Sequence, residues 1–364
     1  MSLPRAPYME WAKSRPTPRF DLAISAVSAC TIEELPGARG VLELTGRNEN
    51  GYPPLIEAIA RAHDVPVECV ATAHGASGAN LLACAALLSQ GDEVLVERPA
   101  YDPLLATPQL VGARLVRFDR RVEDGFALDP SAVAAAMTPH TRLIIITNPH
   151  NPTGALDQEE VLREVGRIAT RAGATVLIDE VYLDASPGRR PAPAARLGPE
   201  FVSTSSLTKS YGLAGLRCGW TLASPDITEL IRRARDIVDA VGAFPAERLA
   251  TLAFAHLDQL LARARRILEP NRRRVLEFLR TRPEIDVVEP GGGTVMFPRL
   301  RGAASSDALV KWLLEKEETM IVPGRFFEAP THFRIGFGAS DAALAGGLAA
   351  IGRALDQGRQ RGEA

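Results

Sequence analysis

The chain has no Cys-x-x-Cys pair and no Cys/His cluster; Cys30, Cys69, Cys84 and Cys218 are scattered. That spacing argues against a zinc site or a disulfide framework and fits a reducing cytosol. No apolar run approaches the roughly 20 residues needed to cross a bilayer. The start, "MSLPRAPYMEWAKSRP", holds no apolar core of signal-peptide length. Neither sign of charge dominates: a formal net charge of −2 and a pI near 6.4 give no bulk attraction to nucleic acid or anionic membrane. There is no internal repeat. The expectation is a soluble, cytoplasmic protein. Hydrophobic residues make up 46% and charged residues 24%, as in ordinary globular chains. The length of 364 residues exceeds one compact domain and suggests a large domain with a smaller companion.

Residues 1–40 read as irregular and Pro-rich. Beyond Pro54 the chain alternates: "LIEAIARAH" and "ANLLACAALLSQG" carry helical spacing, "EVLVE" and "RLVRF" are short strands. "RLIIIT" and "ATVLID" are continuous apolar runs, as expected of strands buried on both faces, and "QEEVLREVGRIATRAG" between them is an amphipathic helix. This rhythm predicts an α/β fold with a mostly parallel central sheet covered by helices. After Pro225 two long Arg-rich helices are expected to run to about Arg282, followed by short strands and helices in an α+β pattern. The predicted division is a large domain over 41–265 and a small domain from 1–40 and 266–364. The tail from Asp356 is expected to fray.

Ligands of open α/β sheets sit beyond the carboxyl ends of the strands, and four segments fall there. "HGASGAN" (His74–Asn80) puts small residues at a helix start, which suits a phosphate or a plain cap. "NPHNPTG" (Asn148–Gly154) is a rigid turn that sets two carboxamides at the mouth of the sheet, with His150 read as a turn residue. Asp179 closes the apolar strand of "VLIDEVY"; a buried carboxylate needs a cation, a cationic ligand or several hydrogen bonds. In "SSLTKSYGLAGLRCGW" (Ser205–Trp220) Lys209 suits a desolvated nucleophile and Arg217 a phosphate dianion. A phosphate, a cationic ring nitrogen, a phenolic oxygen and an aldehyde belong together in pyridoxal 5′-phosphate.

With these motifs the chain resembles the class I/II aminotransferases of PLP fold type I, from about Gly51 to Gly338. Ser206–Gly219 reads S-L-T-K-S-Y-G-L-A-G-L-R-C-G, matching the signature of the Schiff-base lysine. The resemblance implies that Lys209 carries the cofactor, with Ser206, Thr208 and Arg217 near its phosphate. It places Gly75, Ala76 and Ser77 at the phosphate too, Asn151 and Tyr182 on the phenolic oxygen, Asp179 on the ring nitrogen, and Tyr101 stacked on the ring. Arg334, in "FRIGFG", would clamp the substrate α-carboxylate. The family's tyrosine that reaches the partner subunit's phosphate is replaced by Gly46, with Tyr52 beside Gly51. "LAISAVSACTIEELPG" lacks the usual Gly-rich substrate loop. The implied state is a homodimer.

The implied reaction transfers the α-amino group of an amino acid to a 2-oxo acid, with Lys209 moving the Cα proton. The same parts serve C–S β-lyases, decarboxylases and cyclising synthases of this fold. A PLP-sensing transcription regulator is the non-enzyme alternative, but residues 1–40 offer no room for a DNA-binding domain. No arginine lies in "DAVGAFPAE" (Asp239–Glu247) to pair a second carboxylate. Phe244 there either lines the substrate pocket or packs in the core, and Arg47 could fold in from elsewhere. Neutral or aromatic donors are therefore expected over aspartate.

Overall fold

The computed structural model describes residues 3–188 and 190–360. Its helices are α1 (Pro7–Ser14), α2 (Pro53–His63), α3 (Gly75–Leu87), α4 (Asp102–Leu110), α5 (Pro130–Ala136), α6 (Glu159–Ala172), α7 (Pro225–Val238), α8 (Phe244–Ala255), α9 (Leu257–Arg280), α10 (Asp307–Glu317) and α11 (Asp341–Gln360). After the short β1 (Phe20–Asp21), seven strands build the main sheet: β2 (Val70–His74), β3 (Glu93–Arg98), β4 (Arg114–Asp119), β5 (Thr141–Thr147), β6 (Thr175–Asp179), β7 (Phe201–Ser206) and β8 (Cys218–Leu222). Their order is β2-β8-β7-β6-β5-β3-β4, and β8 runs against the other six. Six short strands follow: β9 (Ile285–Asp286), β10 (Val295–Met296), β11 (Arg299–Leu300), β12 (Thr319–Met320), β13 (Val322–Pro323) and β14 (Phe333–Gly336).

The apolar runs form the centre of the sheet because helices cover both faces. Alternate residues of β5 point to opposite sides: Leu143 and Ile145 join a core with Leu82 of α3 and Ile231 of α7, while Ile144 and Ile146 join Leu162 and Val165 of α6. Neither face meets water, so the strands need no polar alternation.

Three expectations change. Residues 1–40 are not wholly irregular: α1 starts at Pro7, whose fixed φ suits the first helical turn. The Arg-rich stretch holds three helices, α7, α8 and α9, because the chain breaks around Gly242 and again at His256. The tail does not fray at Asp356, since α11 continues to Gln360; residues 361–364 lie outside the described residues.

The N-terminal segment threads through the C-terminal strands. Phe20 and Asp21 pair with Thr319 and Met320, the Leu22 N–H donates to the Met320 carbonyl (2.9 Å), and the Gly336 N–H donates to the Leu22 carbonyl (2.7 Å). A Cβ on Gly336 or Gly338 would strike the Ile24 or Ala26 carbonyl, so these glycines permit the close approach. Among the described residues no helix is long and apolar enough to cross a membrane, and the four cysteines are free.

Candidate active site

Strands β5, β6 and β7 run parallel and end side by side, so Asn148–Gly154, Glu180–Tyr182 and Leu207–Lys209 leave the sheet at one edge. The antiparallel β8 begins at that edge and brings Arg217 beside the start of α3. These segments enclose a cavity of about 510 Å³. Ten of the expected residues line it: Ala76, Ser77, Tyr101, Asn151, Asp179, Tyr182, Ser206, Thr208, Lys209 and Arg217.

The anion end is built from backbone. Gly75, Ala76 and Ser77 form the first turn of α3, where N–H groups lack helical partners and the helix dipole is positive. A Cβ on Gly75 would run into the Arg217 guanidinium, and one on Gly219 into the Gly75 backbone, so two glycines are needed here for space. Arg217 itself is left-handed, at φ 48° and ψ 29°. That conformation costs a non-glycine residue about 1–3 kcal/mol and concentrates at functional sites.

At the next strand end Asp179 is buried, with no cation in hydrogen-bond contact among the described residues. Asn80 Nδ2 donates to its Oδ2 (2.8 Å) and the Val181 N–H to its Oδ1 (3.1 Å); Thr204 Oγ1 in turn donates to Asn80 Oδ1 (2.6 Å). Burial pushes the Asp179 carboxyl above the usual carboxylate range, against these bonds and the Lys209 charge. A protonated ring nitrogen would supply the missing positive partner.

Lys209 faces the same cavity. Its Nζ donates to Ser25 Oγ (3.1 Å). Burial lowers the amine to about 8, helped by the Arg334 charge and opposed by Asp179. Tyr182 is pushed up to about 12 by burial, with Arg334 and a Ser25 hydrogen bond acting against it. A buried amine, an underpaired carboxylate and a close-approach anion cradle around one cavity fit pyridoxal phosphate.

Arg334 is fully buried and reaches the cavity wall through other groups. Its Nη1 donates to Asn151 Oδ1 (3.0 Å), and its Nη2 to the Tyr8 hydroxyl (2.7 Å) and the Ala23 carbonyl (3.1 Å). The guanidinium lies 5.1 Å from the Tyr8 ring centroid and 5.0 Å from that of Phe327. Its Nε meets no acceptor among the described residues. Tyr101 meets Tyr8 edge to face at 5.7 Å. His150 is a turn residue, as expected, held by Thr153 Oγ1 (2.7 Å) and the Pro99 carbonyl (3.0 Å).

Phe244 is not in the pocket. It starts α8, packs on the Tyr52 ring at 5.4 Å, and covers Gly46, where a Cβ would overlap its ring. That overlap gives the physical reason for glycine at the position of the expected tyrosine. Arg47 is exposed beside Glu49.

Several lining residues escaped the sequence reading: Tyr8, Met9 and Lys13 of α1, Ser25, Asn80, and Leu104 of α4. Asn80 lay inside "HGASGAN", six residues past its histidine, but nothing local ties it to Asp179. For α1 the pattern offered no signal, since Pro4, Pro7, Pro16 and Pro18 crowd it.

The fold and this cavity define a PLP fold type I enzyme. The family model "Aminotransferase class I and II" matches residues 32–351, and the chain belongs to that family, whose enzymes depend on pyridoxal 5′-phosphate. Capreomycidine synthase of Streptomyces vinaceus is 34% identical, over 99% of this chain and 97% of that one. Aspartate aminotransferase of Pyrococcus horikoshii is 28% identical over 84% of this chain and 82% of its own. The crystal structure of a PLP-dependent aminotransferase from Streptococcus suis superposes with a TM-score of 0.92 at 28% identity, covering 98% of this chain and 99% of that chain.

Proposed function

We propose that the protein is a PLP-dependent aminotransferase acting in the cytoplasm on a neutral or aromatic amino acid. The observation that carries this is the placing of Lys209, Asp179 and the Gly75–Arg217 cradle around one cavity. When bound, pyridoxal phosphate supplies an electron sink and the carbon that receives the amino group. Lys209 binds it, and Asp179 keeps a positive charge on its ring nitrogen. Ala76, Ser77, Ser206, Thr208 and Arg217 hold its phosphate; Asn151 and Tyr182 hold its phenolic oxygen; Tyr101 packs on the ring. Arg334 fixes the substrate carboxylate, which reaches the guanidinium by displacing the Tyr8 hydroxyl. Once freed, the Lys209 amine takes the Cα proton; its lowered proton affinity suits a base working near neutral pH. Met9, Ala12, Pro103 and Leu104 give the substrate side of the cavity an apolar wall.

A homodimer is part of the proposal. Leu44 and Ile237, 85% and 87% exposed, stand near the half-exposed Leu42, Val238 and Val241 in sequence, as interface residues would. Sedimentation of a fully active monomer would remove it. The catalytic test is a single-turnover reaction of the purified, cofactor-loaded protein with aspartate, alanine, phenylalanine and methionine, without an acceptor. The expected result is one equivalent of the matching 2-oxo acid from a neutral or aromatic donor. The near end-to-end likeness to capreomycidine synthase favours a second reading, a cyclising synthase. Consumption of substrate into a ring-closed product with no 2-oxo acid would select it.

A further inference from the structure

We propose that Ser25 is a positioning residue for the Lys209 amine, holding it while it is not covalently engaged and fixing which way its lone pair points. The proposal rests on the amino-transfer reading of Lys209. Ser25 lies in "LAISAVSAC", where the family's Gly-rich substrate loop is missing.

The segment carrying Ser25 is gripped along its length. The Leu22 N–H donates to the Met320 carbonyl (2.9 Å), the Gly336 N–H to the Leu22 carbonyl (2.7 Å), and the Ser28 N–H to the Gly338 carbonyl (2.8 Å). The Val27 N–H donates to the carbonyl of Lys209 itself (3.0 Å), so the backbones of the serine and the lysine are fixed relative to one another. Glycine at 336 and 338 lets the segment sit against β14 and its exit. Ser25 is 4% exposed, yet its hydroxyl lines the cavity.

A hydroxyl has one proton to give and can accept two hydrogen bonds. Here Lys209 Nζ donates to Ser25 Oγ (3.1 Å), and the Ser25 hydroxyl also acts on the Tyr182 phenol, opposing the rise that burial gives it. This arrangement uses one amine N–H and leaves the lone pair free for the cavity. When the amine has taken the Cα proton, the same oxygen accepts from the resulting ammonium; among the described residues Ser25 is the side chain that Lys209 Nζ bonds. Without the hydroxyl, a four-carbon stem with several rotatable bonds sets the direction of the base. Alanine would keep the backbone grip and remove only this hold.

The chain has four lysines, Lys13, Lys209, Lys311 and Lys316. The full-length apoprotein can therefore be produced with ¹³C-labelled lysine and its four lysine side-chain signals followed by NMR through pH, Lys209→Met identifying the Lys209 signal. In the wild type that signal is expected to titrate near 8. In Ser25→Ala its proton affinity should fall threefold or more. In the holoenzyme, single-turnover proton removal from an α-deuterated donor should slow about tenfold, the size of one net hydrogen bond, with a larger isotope effect. Ser25→Thr, which keeps the hydroxyl, should stay within about threefold of wild type in both measurements. Ser25→Cys, a weak hydrogen-bonding partner, replaces the alanine variant if that one does not fold. An unchanged Lys209 titration and isotope effect in the alanine or cysteine variant would overturn the proposal, as would threonine behaving like alanine. If the wild type yields no 2-oxo acid from any donor, the amino-transfer reading fails, while the titration still decides whether Ser25 holds the amine.

Discussion

Two clusters of buried charge sit at the same edge of the sheet, and they are finished differently. Under the Asn148–Gly154 turn, Arg120 donates to Glu97 Oε2 (2.7 Å), Asp157 Oδ2 (2.8 Å) and the Phe126 carbonyl (3.1 Å). Glu97 Oε1 accepts from both the N–H and the hydroxyl of Thr147 (2.7 Å each), and Asp157 Oδ1 from the Leu128 N–H (2.9 Å). Each carboxylate oxygen is used. In the cavity, among the described residues, Asp179 lacks a cation in contact, Arg334 Nε has no acceptor, and Lys209 leans on one hydroxyl. Both clusters carry the cost of burial, which pushes the Glu97 carboxyl up to about 7 even beside Arg120, but only in the first do the carboxylates meet a cation in hydrogen-bond contact. The closed cluster serves the open one: Thr147 Oγ1 also accepts from the Asn151 N–H (2.9 Å), and Asn151 meets Arg334. What sets the cavity apart is a carboxylate with no cation in contact and a buried amine that face the same open space.

The largest effect should come from the open cluster. Lys209→Ala removes both the attachment point and the base, and single-turnover 2-oxo acid formation should fall about 10³-fold or more. The purified variant should form no bond to the cofactor that borohydride can fix. Retention of a reducible lysine adduct would move the assignment to another lysine. The closed cluster should respond in stability instead. Arg120→Met leaves Glu97 and Asp157 buried without their cation and should cost about 3–5 kcal/mol in denaturant unfolding. A loss below about 1 kcal/mol would show that the two clusters do not differ in kind.

Asp179→Asn separates them further. In the apoprotein it removes a carboxylate whose burial is not offset by a cation, so stability should hold or rise by about 1 kcal/mol. The sign follows from linkage. Burial raises the folded-state proton affinity of Asp179 above its unfolded value near 3.9, so the folded apoprotein binds more protons, and its stability falls as pH rises through that carboxyl's range. The advantage of asparagine over aspartate should accordingly grow from about pH 4 upward. In the holoenzyme the order should reverse, with Cα proton removal slowed about 100-fold. Lys209 adds its own profile: the amine is protonated below about 8, so proton removal should weaken as pH falls below that value.

The sequence carried the parts of the site that are local. Lys209 with Arg217, Asn151 in its turn, and Asp179 at its strand end each lie within a few residues of the Gly, Pro or apolar run that fixes their geometry. The continuous apolar runs likewise announced β5 and β6. What stayed hidden is what the fold brings from far away. Tyr8 meets Arg334 across 326 residues, and Ser25 meets Lys209 across 184. The eight-residue α1 carries too few turns for its periodicity to stand out among the prolines, and it is held by packing and by Asp102, whose Oδ2 accepts the Tyr8 N–H (2.7 Å). The choice between the two places open to Phe244 has the same origin, since only the folded chain shows its ring over Gly46.

The smallest effect tests whether anything on α1 reads the substrate's charge. Among the described residues Lys13 is the one cation of the cavity lining besides Lys209 and Arg217, so it is the candidate partner for a distal carboxylate. It stands exposed on the solvent side of α1, however, where an ion pair is screened and typically contributes about 0–1 kcal/mol. The neighbouring Met9 and Ala12 offer a substrate side chain apolar contact instead. Lys13→Ala should therefore change KM for alanine, phenylalanine and methionine less than about twofold, and KM for aspartate by no more than about threefold, with kcat unchanged. Measuring the four donors side by side at low and high salt settles the matter. A tenfold, salt-sensitive loss confined to aspartate would make Lys13 a member of the open cluster and would reverse the expected preference for neutral donors.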